Sequence, residues 1–139
     1  MNTIVEKLVW SEKLTLYNEE IDSQHKMIFN LVNEVIEVDR LHPKSDYFAM
    51  ILSKLTDYGM EHFKEEEKLM QILNYPKYIE HRKEHLNYVY QVAMFNLNFK
   101  NVNYSEPIRV VEFVRQWWYN HILGKDLDFG NYIKETLSR

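Results

Sequence analysis

The sequence predicts an all-α protein: an antiparallel up-down-up-down four-helix bundle with an N-terminal arm and a short C-terminal helix. Two observations predict this class. Only three glycines and three prolines occur in 139 residues, so the chain has few turns. Between the turns lie long segments in which apolar residues recur every three or four positions, as on one face of a helix. We expect one domain over residues 1–139, because this length suits a single ordinary domain.

The composition excludes several classes of function. The net charge is −4 and no strongly basic stripe occurs, so we expect no nucleic-acid partner. The absence of cysteine excludes disulfides, thiolate ligands and thiol nucleophiles. No apolar run is long enough for a signal-peptide core or a membrane span, and we expect a soluble, cytoplasmic protein without a membrane partner.

The chain is predicted to begin with an arm that leads into the first helix. Residues 1 to about 20 are predicted to be irregular, with Trp10 and Leu16 as anchors on the bundle. A helix is predicted at about 23–40, with Asp22 or Ser23 as its N-cap, and it should end before Pro43. Its apolar stripe consists of Ile28, Val32, Val35 and Ile36.

The second helix is predicted at about 45–72, capped by Ser45 or Asp46. Gly59 lies in the middle of it, at a cost of roughly 1 kcal/mol relative to alanine. A close contact with another helix would explain that glycine. The inward face is predicted to contain Phe48, Ile51, Leu52, Leu55, Gly59, His62, Glu66 and Leu69.

The remaining elements follow two breaks. A turn around Pro76 leads into a third helix at about 76–100, since proline suits a first helical turn. A break over 101–106 precedes a fourth helix at about 107–123, which Gly124 should end. A short tail helix is predicted at about 126–136. The inward residues of the third and fourth helices are predicted to be Tyr78, His81, His85, Tyr88, Val89, Val92, Val111, Val114, Trp117, Trp118, His121 and Ile122.

Histidines and carboxylates recur on the predicted inward faces. The second helix carries His62-x-x-x-Glu66 and the third carries His81-x-x-x-His85, and positions four apart share one helix face. His25 begins the first helix. His121 ends the fourth, and Asp126 follows five residues later, too far for one regular face. The expected helix break at Gly124 would let Asp126 fold back toward His121.

In an antiparallel bundle, the starts of odd helices meet the ends of even ones, so these groups should share one layer. Without a cation, each buried polar group lacking a partner would cost about 1–3 kcal/mol. The pattern therefore predicts a metal centre. Seven ligands exceed one tetrahedral zinc and suit two octahedral ions, for which imidazole and carboxylate ligation favours iron. The seven predicted ligands are His25, His62, Glu66, His81, His85, His121 and Asp126.

This set resembles the full signature of the hemerythrin family, and the likeness is greatest to its bacterial branch. The flanking segments Ile21-Asp22-Ser23-Gln24-His25 and Trp117-Trp118-Tyr119-Asn120-His121-Ile122 are similar as well, as is Trp10. The resemblance covers essentially the whole chain. It implies two iron ions, with an oxo or hydroxo group as a further bridge, and reversible binding of O2 for storage, delivery or sensing.

The resemblance also implies a role for each residue. His81, His85 and His121 would bind one iron, which is coordinatively full. His25 and His62 would bind the other iron, which keeps an open position for O2. Glu66 and Asp126 would bridge the two ions. The walls of the O2 pocket would be Ile28, Phe63, Trp117, Trp118 and Ile122.

Trp118 departs from the family, which usually has leucine at this position. A tryptophan is larger and carries an N–H donor. It could narrow the pocket, swing as a gate or shift the pocket wall, or it could pack outside the pocket. The charged neighbours of Glu66 in the run 64–68 are expected to form a solvated face.

Two other functions compete with O2 binding. A di-iron enzyme (a peroxidase, an oxidase or a nitric-oxide-handling protein) would need substrate access and an acid or base beside the open iron, and the predicted pocket has no polar group except the Trp118 indole. We therefore expect that the protein is not an enzyme. A metal-storage or structural site is the third reading. Sensing would require coupling to a fused or interacting signalling domain.

Overall fold

The computed structural model describes residues 5–41, 45–100 and 107–138, and within 96–100 it describes the backbone only. It is an all-α four-helix bundle, as predicted. Neighbouring helices pack in a ring, because the first contacts the second and fourth, and the third contacts the second and fourth. The helices are α1 (Glu19–Leu41), α2 (Asp46–Ile72), α3 (Tyr78–Lys100), α4 (Pro107–His121) and α5 (Leu127–Leu137). The predicted break at 101–106 lies outside the described residues, and so do His42 and Pro43.

The start of α1 differs from the prediction. The helix begins four residues earlier than predicted, and Asn18 caps it, since its side-chain oxygen accepts a hydrogen bond from the Ile21 N–H at 2.9 Å. Asp22 does not cap the helix. Its carboxylate accepts hydrogen bonds from the Leu16 N–H at 2.8 Å and from the Thr15 hydroxyl at 2.5 Å. Asp22 therefore ties the arm to α1, which the sequence pattern alone does not reveal.

The predicted cap of α2 is confirmed. The Ser45 hydroxyl accepts a hydrogen bond from the Phe48 N–H at 3.0 Å. Both predicted anchors of the arm also contact the bundle: Leu16 is buried, and the ring of Trp10 lies 6.0 Å from that of Phe29 in an edge-on arrangement.

Two apolar clusters fill the bundle, one on each side of a polar layer. The larger cluster contains Ile28, Phe63, Tyr88 and Trp118, with most of the apolar residues of α1, α2 and α4. The smaller cluster lies at the end where the arm and α5 pack. Its buried members are Leu16, Ile21, Met70, Tyr75, Phe129 and Ile133. Along α1, for example, His25 lies between Ile21 of the small cluster and Ile28 of the large one.

Gly59 is explained by a close helix contact. A Cβ atom at Gly59 would lie 2.9 Å from Cζ2 of Trp118, which is fully buried on α4. The indole is held at this place by a hydrogen bond from its Nε1–H to the Tyr88 hydroxyl, at 2.9 Å. It also stacks on Phe63, with ring centres 5.2 Å apart. The large side chain of Trp118 and the missing side chain at position 59 therefore fit together.

None of the helices, over the residues that the structure describes, is both long and apolar enough to cross a membrane.

We predict that Gly59→Ala destabilises the protein by about 1–3 kcal/mol, since overpacking a filled core forces Trp118 to move. Helix propensity alone would give the opposite sign, a gain of roughly 1 kcal/mol. Urea unfolding of protein with matched metal content measures the difference. Gly124→Ala is the control, because a Cβ there meets no atom within 4 Å. A Gly59→Ala variant as stable as the Gly124→Ala variant would contradict the prediction.

Candidate metal centre

Seven polar side chains meet in one buried layer of the bundle. The structure brings together all seven residues that the sequence analysis selected, and each is at most 2% exposed. Two groups within this layer have donor atoms close enough to hold an ion. The first group is Glu66, His81, His85, His121 and Asp126, and the second is His25, His62, Glu66 and Asp126. The two carboxylates belong to both groups.

The carboxylate of Glu66 lies between the two sets of histidines. Its Oε1 atom is 2.7 Å from Nε2 of His81 and 3.4 Å from Nε2 of His85. Its Oε2 atom is 3.1 Å from Nε2 of His62 and 3.4 Å from Nε2 of His25. One oxygen thus faces α3, and the other faces α1 and α2.

The carboxylate of Asp126 also lies between the two sets of histidines. Its Oδ1 atom is 2.9 Å from Nε2 of His81 and 3.1 Å from Nε2 of His121. Its Oδ2 atom is 3.1 Å from Nε2 of His25. Each carboxylate therefore presents one oxygen to each set of histidines, which is the arrangement of a bridging ligand.

Asp126 reaches the layer by a route that differs from the prediction. Gly124 does not end the helix. The chain continues without a break through a π-helical turn, Ile122–Asp126, into α5. The N–H of Leu127 bonds the carbonyl of Ile122, five residues back. Because a π turn brings residues five apart to the same side, Asp126 lies under His121. The helix-break prediction was wrong because it considered only the α-helical period.

Hydrogen bonds to the outer nitrogens of His85 and His121 orient their Nε2 atoms into the layer. Nδ1 of His85 lies 2.8 Å from Oε2 of Glu67, and Nδ1 of His121 lies 2.7 Å from Oε1 of Glu84. A carboxylate accepts, so each Nδ1 donates its N–H to the carboxylate, and Nε2 is the nitrogen that faces the layer. The two Nε2 atoms are 3.0 Å apart. Two ring nitrogens that face each other at this distance need a proton or a metal ion beside them.

The histidines on α1 and α2 are arranged in a similar way. The Nδ1–H of His62 donates to the side-chain amide oxygen of Gln24 at 2.7 Å. Its Nε2 atom lies 3.1 Å from Nε2 of His25. Two ligands about 2.1 Å from one octahedral ion and at right angles to each other lie roughly 3.0 Å apart. The spacing within each pair of histidines fits shared coordination of an ion.

The layer has a strong need for positive charge. Burial opposes ionisation of Glu66, but His62 and His25 outweigh burial and hold the pKa of this carboxyl well below its ordinary value. Burial and Glu66 likewise oppose ionisation of Asp126, and His121 and His25 still lower its pKa. In return, the two carboxylates overcome the burial of His25 and raise its pKa to about 9. Two buried anions remain, and protons or metal ions must balance them.

The donor set fits metal ions better than protons alone. Both oxygens of Glu66, both oxygens of Asp126 and Nε2 of His81 are buried without a well-formed hydrogen bond in the described parts of the chain. Each such atom costs about 1–3 kcal/mol if nothing satisfies it. These same atoms point into the two ion-sized groups, so metal ions would satisfy them together.

Three residues of the site were missed by the sequence analysis: Gln24, Glu67 and Glu84. Glu67 was expected on a solvated face, and that expectation was wrong, because its side chain is only 19% exposed and holds His85. Glu84 on α3 holds His121 of α4, and Gln24 on α1 holds His62 of α2. Each bond joins two helices. Spacing along one helix cannot reveal such partners.

The five residues predicted as pocket walls lie in two places. Ile28, Phe63, Trp118 and Ile122 are buried in the large apolar cluster. Phe63 stacks on the His85 ring at 3.9 Å, and the Trp118 ring lies 6.2 Å from that of His62. Trp117 is half-buried and stacks on His121 at 4.5 Å. It also lines a surface groove of about 480 Å³ that includes Glu84 and Lys125.

Comparisons with a family model, with related proteins and with a solved structure agree with one another. The family model described as "Hemerythrin HHE cation binding domain" matches residues 17–133. The chain is 29% identical to the bacteriohemerythrin of Stenotrophomonas maltophilia, over 95% of this chain and 85% of that protein. It is 30% identical to the bacteriohemerythrin of Clostridium acetobutylicum, over 87% and 97%. The crystal structure of a wild-type hemerythrin superposes with a TM-score of 0.81 at 29% identity, covering 89% of this chain and 95% of that one.

We predict that removing bound metal with a chelator lowers the free energy of unfolding. A ligand present at a thousand times its dissociation constant stabilises a fold by about 4 kcal/mol, and we expect a loss of at least this size. Thermal and urea unfolding before and after chelation measure it, and returning the metal should restore the original midpoint. Unfolding midpoints that chelation leaves unchanged would contradict a metal in this layer.

Proposed function

Since the chain belongs to the hemerythrin family, we propose that its buried layer holds two iron ions and that the protein binds O2 reversibly at one of them. The single observation that carries the proposal is the placement of the carboxylates. Glu66 and Asp126 each turn one oxygen toward each set of histidines. One ion leaves the second oxygen of each carboxylate without a partner, whereas two ions use all four oxygens.

The proposed ligands divide into unequal sets. His81, His85 and His121 surround one position with one oxygen from each carboxylate. His25 and His62 surround the other position with the remaining two oxygens. If one solvent-derived oxygen bridges both ions, the first has six ligands and the second has five. An octahedral ion at the second position would keep one open position, and a small ligand would bind there.

Bound iron would supply the electrons that O2 chemistry needs, and the chain would supply orientation and exclusion of water. Orientation comes from the bonds that hold the imidazoles of His62, His85 and His121 from behind. Water is kept out on one side by the large apolar cluster and on the other by the small one. Such a dry site favours a reversible complex, since it slows proton entry and loss of the bound ligand to side reactions.

Trp118 belongs to the inner wall in this proposal. It is fully buried and wedged between Gly59 and Phe63, and the Tyr88 hydroxyl holds its indole N–H. Of the alternatives raised by its size, narrowing of the pocket agrees best with these contacts. A side chain with a hydrogen bond and no free volume beside Gly59 is poorly suited to swing as a gate.

A di-iron enzyme is the second candidate, and one observation favours it. Tyr88 places a hydroxyl in the otherwise apolar cluster, where its ring meets Phe63, Trp117 and Trp118. Burial raises the pKa of this phenol far above its ordinary value, so the hydroxyl stays protonated. It is a polar group near the predicted pocket, where an enzyme would need a hydrogen-bond donor to its substrate.

The visible spectrum separates the two candidates. We predict that the reduced, colourless, iron-loaded protein develops a charge-transfer band in air and that the band disappears under vacuum over repeated cycles. Storage, delivery and sensing all require this reversibility. Immediate conversion to the oxidised form, with continued turnover of an added reductant, would favour the enzyme instead.

We predict that His62→Ala lowers the iron content from two ions toward one per chain and abolishes the O2-dependent band, because the position with the open site loses one of its two histidines. Metal analysis and anaerobic spectroscopy measure both effects. His42→Ala is the matched control, since His42 is the one histidine outside the seven-residue set. Two irons and an intact band in the His62→Ala variant would show that the ligand assignment is wrong.

A further inference from the structure

The imidazoles of the centre have unequal partners on their outer nitrogens. On the three-histidine side, His85 donates to the carboxylate of Glu67 and His121 donates to the carboxylate of Glu84. On the two-histidine side, His62 donates to Gln24, which is a neutral amide. Nδ1 of both His25 and His81 has no hydrogen-bond partner in the described parts of the chain. Both carboxylate partners therefore lie on the three-histidine side.

We propose that Glu67 and Glu84 make the two metal positions unequal: they cause the three-histidine position to bind iron more tightly and to lose an electron before the two-histidine position does. They act as positioning residues through His85 and His121. Gln24 is the neutral counterpart that leaves the other position weaker. This inference rests on the proposed di-iron function and adds an order of binding and oxidation to it.

The physical reason is the charge behind each ring. A carboxylate that accepts a hydrogen bond from an imidazole draws the proton toward itself and makes the opposite nitrogen a stronger donor to the metal. It also adds a nearby negative charge, which favours the more positive oxidation state of the ion. An amide oxygen accepts the same hydrogen bond without that charge. Two anions on one side and one amide on the other thus favour unequal ions.

Partial burial of Glu67 and Glu84 strengthens the effect of their charges on the centre. The side chain of Glu67 is 19% exposed and that of Glu84 is 30% exposed, so solvent screens them less than it screens a surface charge. Each also has a cation nearby. Arg82 lies 3.6 Å from Oε1 of Glu67, and Lys125 helps to lower the pKa of Glu84 after the larger effect of His121. Both carboxylates therefore face a cation on the outer side and an imidazole on the inner side.

Competition with a chelator tests the order of binding. Iron is withdrawn from the reduced, loaded protein by a chromogenic ferrous chelator under anaerobic conditions, and two release steps are expected. The weaker step belongs to the two-histidine position if His62→Ala removes it. We expect Glu67→Gln and Glu84→Gln each to weaken the tighter step on the order of 10–100-fold and to change the weaker step far less. Gln24→Glu should strengthen the weaker step.

Glu65→Gln is the matched control, because Glu65 is exposed on the same helix as Glu67 and makes no bond to the centre. It removes the same charge and should leave both steps unchanged. If Glu67→Gln and Glu84→Gln release iron as the parent protein does, or weaken both steps equally, the inference is overturned. A parent protein that binds no iron would instead overturn the proposed function itself.

Oxidation gives a second readout that does not depend on O2. Ferricyanide accepts one electron from the fully reduced protein, becomes ferrocyanide and leaves a mixed-valence centre that is visible by electron paramagnetic resonance. In the parent protein we expect this state to form over a wide range of potential. Glu67→Gln and Glu84→Gln should raise the potential of the first oxidation and narrow that range. A first oxidation at an unchanged potential in both variants would contradict the proposed role.

Discussion

The structure depends on one electrostatic constraint: two ionised carboxylates lie in a dry layer at the middle of a helix bundle. Charges in such a place are tolerated only when opposite charge and hydrogen bonds surround them. Five imidazoles supply the surroundings, and they converge from four helices on Glu66 and Asp126. Because the rings present their inner nitrogens to the carboxylates, the outer nitrogens face away from them, and those of His62, His85 and His121 bond further side chains. These three bonds extend the polar network beyond the layer to Gln24, Glu67 and Glu84.

The apolar parts of the molecule are arranged around the same layer. The larger cluster fills the long body of the bundle, and the smaller one closes the end where the arm and α5 meet. Asp22 holds that end together by tying the arm to α1, and the Tyr132 hydroxyl does so by donating to the Leu73 carbonyl at 2.6 Å. The arm and α5 therefore cover this end of the bundle and separate the polar layer from solvent. In the body of the bundle, Gly59 makes room for Trp118, the largest of the fully buried side chains described.

Much of this could be predicted from spacing. Apolar residues at helical intervals gave the four helices, and groups four residues apart placed His62 with Glu66 and His81 with His85 on common faces. The errors came from interactions that spacing does not encode. Asp22 is a residue type that commonly caps helices, but its carboxylate accepts a hydrogen bond from the arm. Asn18 caps the helix instead. Glu67 resembles its charged neighbours in sequence, yet only the packing of α2 on α3 brings it to His85. The pairing of Gly59 with Trp118 likewise joins two distant helices.

The π turn has a consequence for everything that follows it in the chain. A regular α-helix advances 100° per residue, whereas the wider turn over Ile122–Asp126 holds one extra residue and so offsets the angular phase of the later residues. That offset aims Asp126 at the polar layer, and it also aims Phe129 and Ile133 of α5 at the small cluster. One local change of helical pitch thus sets the rotation of the final helix. Deletion of one residue from this turn would rotate both Asp126 and the apolar face of α5 away from their present contacts. The polar layer and the small apolar cluster that covers it therefore depend on the same turn.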